Sequence, residues 1–553
     1  MRQKQIFTPF FLEKGVIYLR NKQTSIKMLR QTIFLLPFLF VACIKMEVKA
    51  EKDPNDFRFL ETSINKLSTG YSQGDFSIEE VTQAYLDRID QIDNEGPTLR
   101  SIIQVNPEAI AIAKELDKEL AKGKSRGPLH GIPIVLKDNI DTHDQMNTTA
   151  GSRALKDSKP LQDSPLAQQL RAAGAVILAK ANLSEWANFR GQNSSSGWSG
   201  INGQTKNPYV LTRNPCGSSS GSGVAVSANL TVLAIGTETN GSIVCPSNAN
   251  GIVGIKPTVG LISRSGIIPI SFTQDTAGPM ARTLTDATIA LGTLTAKDEQ
   301  DSKTLVEGRV ALNDYTPYLK KDGVAGKRIA LYTAPLGQNA EVDSLVRQSI
   351  RTLKSAGATV IEIDNITPRA TGGNSFQVML HEYKEGLNAY FKSLGENAPI
   401  KNLEELIAFN EQDSVELKYY NQAYLKMANE KEDLASEAYQ TALANLQLMS
   451  QEEGIDRVMD ENNLDAIIAP TGSPAWSTDW LNGDNYHVGS SSPAAWAGYP
   501  NITVPMGDIH GLPVGLSFFG RAWSEPVLIE IAYGFEQKTK ARITPRFRAN
   551  DEE

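Results

Sequence analysis

The sequence predicts an α/β fold in which one sheet and its helices form a single large domain. Apolar strand segments alternate with helical stripes, most clearly over residues 131–140, 166–173 and 175–179. The 553 residues, of which 41% are hydrophobic, are enough to bury a large core. The chain has no internal repeat and no low-complexity linker. We therefore expect one domain over residues 51–553, preceded by a leader over residues 1–50.

Two helices are expected at the start of this domain. Ser77 and Glu80 form a capping box ahead of apolar residues at helical spacing. Asn106 and Pro107 offer an N-cap and a first-turn proline for the next helix. Both apolar stripes are expected to face the core.

The second half of the chain alternates around a long helical block. Residues 376–459 have charged faces and little glycine, which favours helices. Strands are predicted on either side of this block at 328–332, 359–363, 465–471 and 501–505, and helices at 342–356 and 526–537.

Charge and composition exclude several classes of function. The formal net charge is −8, and the sequence contains no basic tract. Both features argue against a nucleic-acid partner. The chain has three cysteines and five histidines, without CxxC or HExxH spacing. We therefore expect neither a metal site nor a cofactor.

A leader for export is predicted near the N-terminus. A positive start at Met28 precedes an apolar run over residues 32–44, which is typical of a secretory signal peptide and short for a membrane span. Residues 40–43 resemble a bacterial lipobox ending at Cys43, whose lipid would attach the protein to a membrane. Residues 48–50 resemble an ordinary signal-peptidase site. We favour a periplasmic or membrane-anchored bacterial lipoprotein, with a cytoplasmic enzyme as the alternative.

The chemistry is predicted in a stretch rich in glycine and serine, residues 215–257. A first turn carries Ser218, an apolar run follows over residues 232–235, and a second turn ends at Ser242. Glycine and serine at this density favour close backbone turns and hydroxyls presented to a small ligand. Two serine-bearing turns that flank a buried strand suit a nucleophile that needs a base.

Lys137 is the candidate base, at the end of an apolar strand. A lysine held near a buried strand end loses hydration, which lowers its pKa. Enzymes use lysines with a pKa of about 7–8 as bases near neutral pH. The alternative is a lysine that reaches solvent where the strand ends.

Together these stretches resemble the amidase signature family over residues 76–537. The resemblance implies that Ser242 is the nucleophile, that Ser218 is a bridging serine after a cis peptide bond, and that Lys137 is the base. The separation of the two serines by 24 positions agrees with the family. The family also implies a mixed central β-sheet covered by helices on both faces.

The same resemblance implies an oxyanion site. It surrounds the developing oxyanion with the backbone N–H groups of Thr239, Asn240, Gly241 and Ser242. Gly241 lets this turn approach closely. Asn240 departs from the family, in which glycine is common at this position, and this leaves its side-chain contacts undefined.

Within the family, residues 213–223, 236–246 and 274–282 are most similar to bacterial peptide amidases. We expect a monomer that hydrolyses a terminal carboxamide, that of a peptide C-terminus. The products are a carboxylate and ammonia, and the reaction passes through an acyl-enzyme. The alternatives are an amidase of aryl or fatty amides, a protein similar to the amidase component of a glutamine amidotransferase, and a binding protein without catalysis.

Two rival motifs point to other enzymes. Residues 217–221 fit the G-x-S-x-G nucleophile elbow of α/β-hydrolases, but no histidine lies in a partner motif. Ser63 and Lys66 fit the S-x-x-K motif of penicillin-binding enzymes without its companion motifs. We attribute both matches to chance.

Four further residues have two interpretations each. Cys216 and Cys245 flank the serine turns and form either a disulfide or a packing pair. Trp186 and Arg190 lie in a segment similar to one in peptide amidases, and they either line the substrate pocket or pack against the sheet.

Overall fold

The computed structural model describes residues 54–552. The predicted leader, with Met28 and Cys43, and the predicted domain boundary at residue 50 lie outside the described residues and stay predictions. None of the helices between residues 54 and 552 combines the length and the apolar character needed to cross a membrane.

A mixed β-sheet forms the centre of the described residues, as the resemblance implied. It contains eleven strands, and a separate hairpin contains two more, β4 and β5. In chain order the strands are β1 (Ile102–Val105), β2 (Pro133–Lys137), β3 (Val176–Ala181), β4 (Trp198–Ser199), β5 (Gly203–Gln204), β6 (Leu233–Glu238), β7 (Val253–Lys256), β8 (Thr276–Ala281), β9 (Arg328–Tyr332), β10 (Thr359–Ile363), β11 (Ala466–Pro470), β12 (Asn501–Ile509) and β13 (Leu512–Phe519).

The strand order places two functional strands side by side. The order across the sheet is β1-β3-β2-β6-β8-β7-β12-β13-β11-β9-β10. Strand β2 is parallel to β3 and to β6, with Ile134 opposite Leu233, whereas β6 is antiparallel to β8. Because parallel strands end at the same edge of a sheet, Lys137 at the end of β2 lies near Glu238 at the end of β6.

Helices cover both faces of the sheet. Every position of β2, β3, β6, β8, β11 and β13 is buried, which requires cover on both sides. The helices are α1 (Ile64–Gln73), α2 (Ile78–Arg88), α3 (Ala109–Ala121), α4 (Pro165–Ala172), α5 (Ser220–Ser227), α6 (Val244–Ala249), α7 (Leu284–Thr293), α8 (Ala340–Ser355), α9 (Thr371–Ser393), α10 (Leu403–Gln412), α11 (Ala423–Asn429), α12 (Glu437–Ser450), α13 (Arg457–Asn462), α14 (Ser492–Ala497) and α15 (Glu525–Thr539).

One of the two predicted helix starts is correct. The capping box of α2 is present, since Ser77 Oγ accepts the Glu80 N–H and the Glu80 carboxylate accepts the Ser77 N–H. The prediction that Asn106 is the N-cap of α3 was wrong, because the helix begins at Ala109 and its N-cap is Glu108. Asn106 Oδ1 accepts the N–H of Glu108 at 2.9 Å, and its Nδ2 donates to the backbone oxygen of Ile177 in β3, which ties the approach to α3 to the sheet.

The two rival motifs have structural roles. Ser63 is the N-cap of α1, and its Oγ accepts the N–H of Lys66, which accounts for the S-x-x-K spacing. Ser219, the serine of the G-x-S-x-G match, is fully buried and donates to the backbone oxygen of Thr237. Both hydroxyls therefore have hydrogen-bond partners within the fold.

The predicted helical block is confirmed as α9 to α13, and its first helix, α9, packs against the segment that follows β3. An apolar cluster joins the two, in which Leu380, Tyr383 and Phe391 of α9 pack with Trp186 and Phe189. The ring of Trp186 meets that of Phe391 edge to face at 6.2 Å between centroids. We call α9 to α12 the helical cover.

Candidate active site

Lys137 is fully buried, so the alternative that it escapes to solvent is wrong. Its Nζ donates to Ser218 Oγ at 2.8 Å, to Thr237 Oγ1 at 2.8 Å and to the backbone oxygen of Thr237 at 3.1 Å. Burial lowers the pKa of Lys137 to about 7, against the opposing charges of Asp275 and Glu238. This lysine is therefore neutral in a large fraction of molecules near pH 7.

Ser218 lies after the implied cis peptide bond, between Gly217 and Ser218. Its backbone oxygen accepts the N–H of Ser184 at 3.0 Å, which fixes the turn. Gly217 is required here, because a Cβ at this position would lie 2.2 Å from Ser184 Oγ. The Ser218 hydroxyl accepts a hydrogen bond from Lys137 and keeps its own proton to donate.

Ser242 lies on the neighbouring turn, which follows β6. Its backbone oxygen accepts the N–H of Ser219 at 3.1 Å, so the two serine turns are in direct contact. Within residues 54–552, no hydrogen bond joins the hydroxyls of Ser218 and Ser242. Ser242 is 9% exposed and is therefore less completely buried than Lys137 and Ser218.

Glu238 organises the Ser242 turn and was missed by the sequence analysis. Its carboxylate accepts the N–H groups of Gly241 at 2.8 Å, Ile243 at 2.7 Å and Val244 at 3.0 Å. Gly241 has a φ angle of 83°, in the left-handed region that favours glycine. An acidic residue four positions before a serine in a glycine turn was the available signal, because buried N–H groups need acceptors.

The implied oxyanion donors do not behave alike. The Gly241 N–H donates to Glu238 Oε1 at 2.8 Å, so in this structure it already has a partner, and its role as an oxyanion donor stays a prediction. Among the described residues, none accepts a hydrogen bond from the backbone N–H of Thr239, Asn240 or Ser242. These three amides are therefore available to a ligand.

The Asn240 side chain has defined partners. Its Oδ1 accepts the hydroxyl of Ser491 at 2.7 Å, and its Nδ2 donates to Ser492 Oγ at 3.2 Å. Both serines stand at the start of α14. The departure from the family at this position therefore couples the turn to α14.

A cavity of about 270 Å³ lies beside the end of β6. Thr237 and Thr239 form part of one wall, and Ala389 and Tyr390 of α9 form part of another. Asn139, a second residue missed in sequence, also lines it and donates to Thr237 Oγ1 at 3.0 Å. The helical cover thus contributes directly to the space next to the lysine.

Arg190 and Trp186 pack rather than line this cavity. Arg190 is buried, and its guanidinium binds Glu185 at 2.8 Å and Glu416 at 3.1 Å. Trp186 lies in the apolar cluster beneath α9. Their neighbour Ala187 lines the cavity instead.

The two interpretations of Cys216 and Cys245 are resolved in favour of a disulfide. Both residues are buried in a small apolar cluster with Tyr209 and Trp476. Among the described residues, no group of three or more His, Cys, Asp or Glu side chains is arranged to hold a metal ion.

Comparison with known proteins identifies the family. The family model described as Amidase matches residues 80–529, which is most of the chain. The chain belongs to the amidase signature family. A probable amidase of Arabidopsis thaliana is 39% identical over 504 residues, which cover 89% of this chain and 93% of that protein. This chain is therefore an amidase, a hydrolase of amide bonds.

Solved structures give a more specific likeness. The native peptide amidase of Stenotrophomonas maltophilia is 48% identical to this amidase with a TM-score of 0.85, covering 89% of this chain and 99% of that one. A structure of the peptide amidase PAM with the competitive inhibitor chymostatin is also 48% identical, with a TM-score of 0.86 and coverage of 88% and 100%. The fold of the amidase matches these enzymes over nearly their whole length.

Proposed function

We propose that this amidase hydrolyses the C-terminal carboxamide of peptides through Ser242, Ser218 and Lys137. The observation that carries the proposal is the contact of a buried lysine of lowered pKa with Ser218, on the turn adjoining that of Ser242. Such an arrangement supplies a base and a relay for a serine nucleophile.

The contacts of Lys137 orient its lone pair. A neutral amine has two N–H groups and one lone pair. Thr237 offers two acceptors, its backbone oxygen at 3.1 Å and Oγ1 at 2.8 Å. When both N–H groups are donated to Thr237, the lone pair faces Ser218 Oγ. Lys137 can then accept the Ser218 proton as Ser218 takes one from Ser242.

The reaction follows from this relay. Ser242 Oγ attacks the amide carbon while its proton passes through Ser218 to Lys137. The C–N bond then breaks, and the proton returns through Ser218 to the departing ammonia. A water molecule attacks the acyl-enzyme by the same route, which releases the carboxylate and restores Ser242.

The N–H groups of Thr239, Asn240 and Ser242 are the proposed oxyanion donors. One donor of this kind is worth about 2.7–4 kcal/mol of barrier in a serine hydrolase. Glu238 holds the turn by accepting the Gly241 N–H, and this leaves the three flanking amides unpaired. The role of Gly241 is then conformational.

The peptide substrate is supported by likeness. The two peptide amidase structures are 48% identical to this chain over their full length, and one of them holds the inhibitor chymostatin. A second candidate is a glutamine amidotransferase activity. It is supported by a glutamyl-tRNA(Gln) amidotransferase subunit of Thermosynechococcus vestitus, 34% identical over 84% of this chain and 95% of that protein.

Export is proposed together with this function, with attachment through Cys43 as its lipoprotein form. It is supported by the predicted leader and by the Cys216–Cys245 bond, because disulfides persist in oxidising compartments. Fractionation of cells tests it: recovery of the protein in the cytoplasm would favour the alternative location. Gel filtration of the purified chain tests the proposed monomer.

The experiment that tests the function is ammonia release by the purified full chain from four substrates: a peptide amide, an aryl amide, a fatty amide and glutamine. We expect the peptide amide to be preferred, and Ser242→Ala to abolish release. Preference for glutamine would favour the second candidate. Release by Ser242→Ala equal to that of the wild type would overturn the catalytic assignment.

A further inference from the structure

A disulfide joins the turn that carries Ser218 to the turn that carries Ser242. Cys216 stands two positions before Ser218, and Cys245 stands three positions after Ser242. The bond spans 29 positions of sequence and holds the two Cα atoms at 5.9 Å. It therefore links the loops of the proposed relay and the proposed nucleophile.

The Cys216 end of the bond is held by the backbone around it. Its N–H donates to Asn214 Oδ1 at 2.8 Å, and Asn214 Nδ2 donates to Ser195 Oγ at 3.0 Å. Its φ angle of 58° lies in the left-handed region, which a residue with a Cβ occupies only where its surroundings hold it. A displacement of Cys216 would therefore be passed on to Ser218.

The Cys245 end is held to the Ser242 turn. Cys245 lies in the first turn of α6, and its N–H donates to the backbone oxygen of Gly241 at 2.8 Å. The preceding amides of Ile243 and Val244 are fixed by Glu238. Cys245 and Ser242 therefore move together.

Non-covalent contacts between the two turns are weak by comparison. The Ser219 N–H donates to the Ser242 backbone oxygen at 3.1 Å, and Asn250 Nδ2 donates to that of Pro215 at 2.9 Å. A hydrogen bond of this kind opens and closes readily, whereas the disulfide is covalent. The distance between the hydroxyls of Ser218 and Ser242 therefore depends on how the two turns are positioned against each other.

The surroundings of the bond do not replace it. Each cysteine is 5% exposed, and Tyr209, Trp476 and Leu512 pack around the pair. These side chains are mainly apolar and offer no second tether. After reduction the two sulfur atoms are no longer bonded, and the covalent link between the two turns is lost.

We propose that the Cys216–Cys245 disulfide positions the Ser218 turn against the Ser242 turn for proton transfer. This inference rests on the roles proposed above for the two serines. Proton transfer between side chains needs heavy atoms about 2.6–3.2 Å apart. A displacement of about 1 Å in an active site can lower the rate on the order of 10²-fold. The disulfide touches no substrate and acts through the serines.

The test uses the full chain with Cys43→Ser, which leaves these two cysteines alone. A dithiol reductant supplies two electrons and two protons to the bond, gives two thiols and becomes a disulfide itself. We expect kcat for a peptide amide to fall about 10- to 100-fold with KM within about 2-fold. Reoxidation should restore kcat. The double variant Cys216→Ser/Cys245→Ser should have the kcat of the reduced protein, and the reductant should not change it.

Leu512→Ala is the matched control, because it opens the same apolar cluster without cutting the link between the turns. It should lower the thermal midpoint yet keep kcat, measured at a temperature where circular dichroism shows each protein folded. Wild-type kcat after complete reduction, or an equal loss of kcat in Leu512→Ala, would overturn the proposal. If Ser242→Ala remains active the proposed function itself fails, whereas an inactive Ser242→Ala with no effect of reduction refutes only the role of the disulfide.

Discussion

The two turns that carry Ser218 and Ser242, proposed as catalytic, and the helical cover are held by different kinds of contact. Each turn is held mainly by hydrogen bonds to backbone groups nearby in the sequence. Glu238, for example, accepts the N–H groups of Gly241 and Ile243. In the cover, long side chains reach across the chain, as where Glu416 binds Arg190 over 226 positions. The shape of each turn is therefore encoded within a few positions, whereas the cover depends on distant pairs.

The two regions meet at the loop over residues 264–275, most of which lines the cavity beside β6. Glu382 of α9 accepts the hydroxyls of Ser271 and Thr273 in that loop and the hydroxyl of Tyr439 in α12. A change in the turns should therefore alter kcat, and a change in the cover should alter KM or stability. Substitutions in each region test this division, and they follow in order of their expected effect on activity.

The largest effect is expected from the lysine and the nucleophile. Lys137→Ala or Ser242→Ala should lower kcat/KM for a peptide amide on the order of 10⁴-fold or more, because each removes a member of one relay. Steady-state release of ammonia measures this. Ser247→Ala is the matched control, since Ser247 is a buried serine of α6 whose hydroxyl has no partner among the described residues. Equal losses in Ser247→Ala would count against a specific role for Ser242.

The next effect tests the backbone support of the turn. Glu238→Gln replaces one acceptor oxygen by an N–H₂ group that faces backbone donors, so the Ser242 turn should shift. We expect kcat to fall on the order of 10²-fold with little change in KM. Steady-state kinetics and a thermal melt separate this loss from unfolding. A rise in KM at constant kcat would place Glu238 in substrate binding instead.

The pH dependence sharpens the assignment of the base. Lys137 must be neutral to accept a proton, and burial lowers its pKa to about 7. The value of kcat/KM should therefore rise about tenfold per pH unit below pH 6 and level off above pH 8. In Glu238→Gln the rising part of this pH profile should move to lower pH, because the variant lacks a negative charge that raises the pKa of Lys137. A limb near pH 10 would mean that the lysine is solvated.

The contrast between the two regions also explains what the sequence could predict. The roles of Lys137, Ser218 and Ser242 could be predicted because each residue stands in a local sequence motif. Such a motif can be recognised without knowledge of the tertiary contacts. Glu238 and Asn139 lie in the same motifs, yet their roles depend on which N–H groups and hydroxyls they meet after folding. The family pattern alone therefore gave no sign that the Gly241 N–H donates to Glu238.

The cover shows the opposite limit. Its helices were predicted from periodicity, but the ion pair of Arg190 with Glu416 joins residues that no local pattern connects. The same applies to strand β13, which follows β12 after a turn at His510 and Gly511, both with positive φ angles. A non-glycine residue at the first position of that turn gave little signal of a hairpin.

A smaller effect on activity is expected from the cover. Glu416→Ala leaves Arg190 with one carboxylate and removes the acceptor of the Arg153 N–H. Breaking a buried pair costs about 3–5 kcal/mol of unfolding free energy. We expect KM to rise several-fold at nearly constant kcat, measured by steady-state kinetics beside urea unfolding. Glu411→Ala, which breaks an ion pair between half-exposed side chains of the same cover, is the control and should cost about 0–1 kcal/mol.

The smallest effect tests one hydrogen bond between the cover and the segment that follows β2. Tyr390 of α9 donates to Asp141 Oδ1 at 2.9 Å. Tyr390→Phe should lower the free energy of unfolding by about 1–3 kcal/mol, with kcat unchanged. Burial raises the pKa of Asp141 to about 7, and the tyrosine opposes this rise by stabilising the ionised carboxylate.

That pKa sets the sign of the pH dependence. Because the folded pKa of Asp141 is raised, its contribution to stability is present at low pH and is lost as the pH rises through about 7. Losing the tyrosine hydroxyl raises the pKa further, so Tyr390→Phe should cost more at pH 8 than at pH 5. Tyr383→Phe is the matched control, since that buried hydroxyl of α9 has no partner among the described residues. A Tyr390→Phe cost that is equal at both pH values, as urea unfolding would show, means that Asp141 does not change its protonation state in this range.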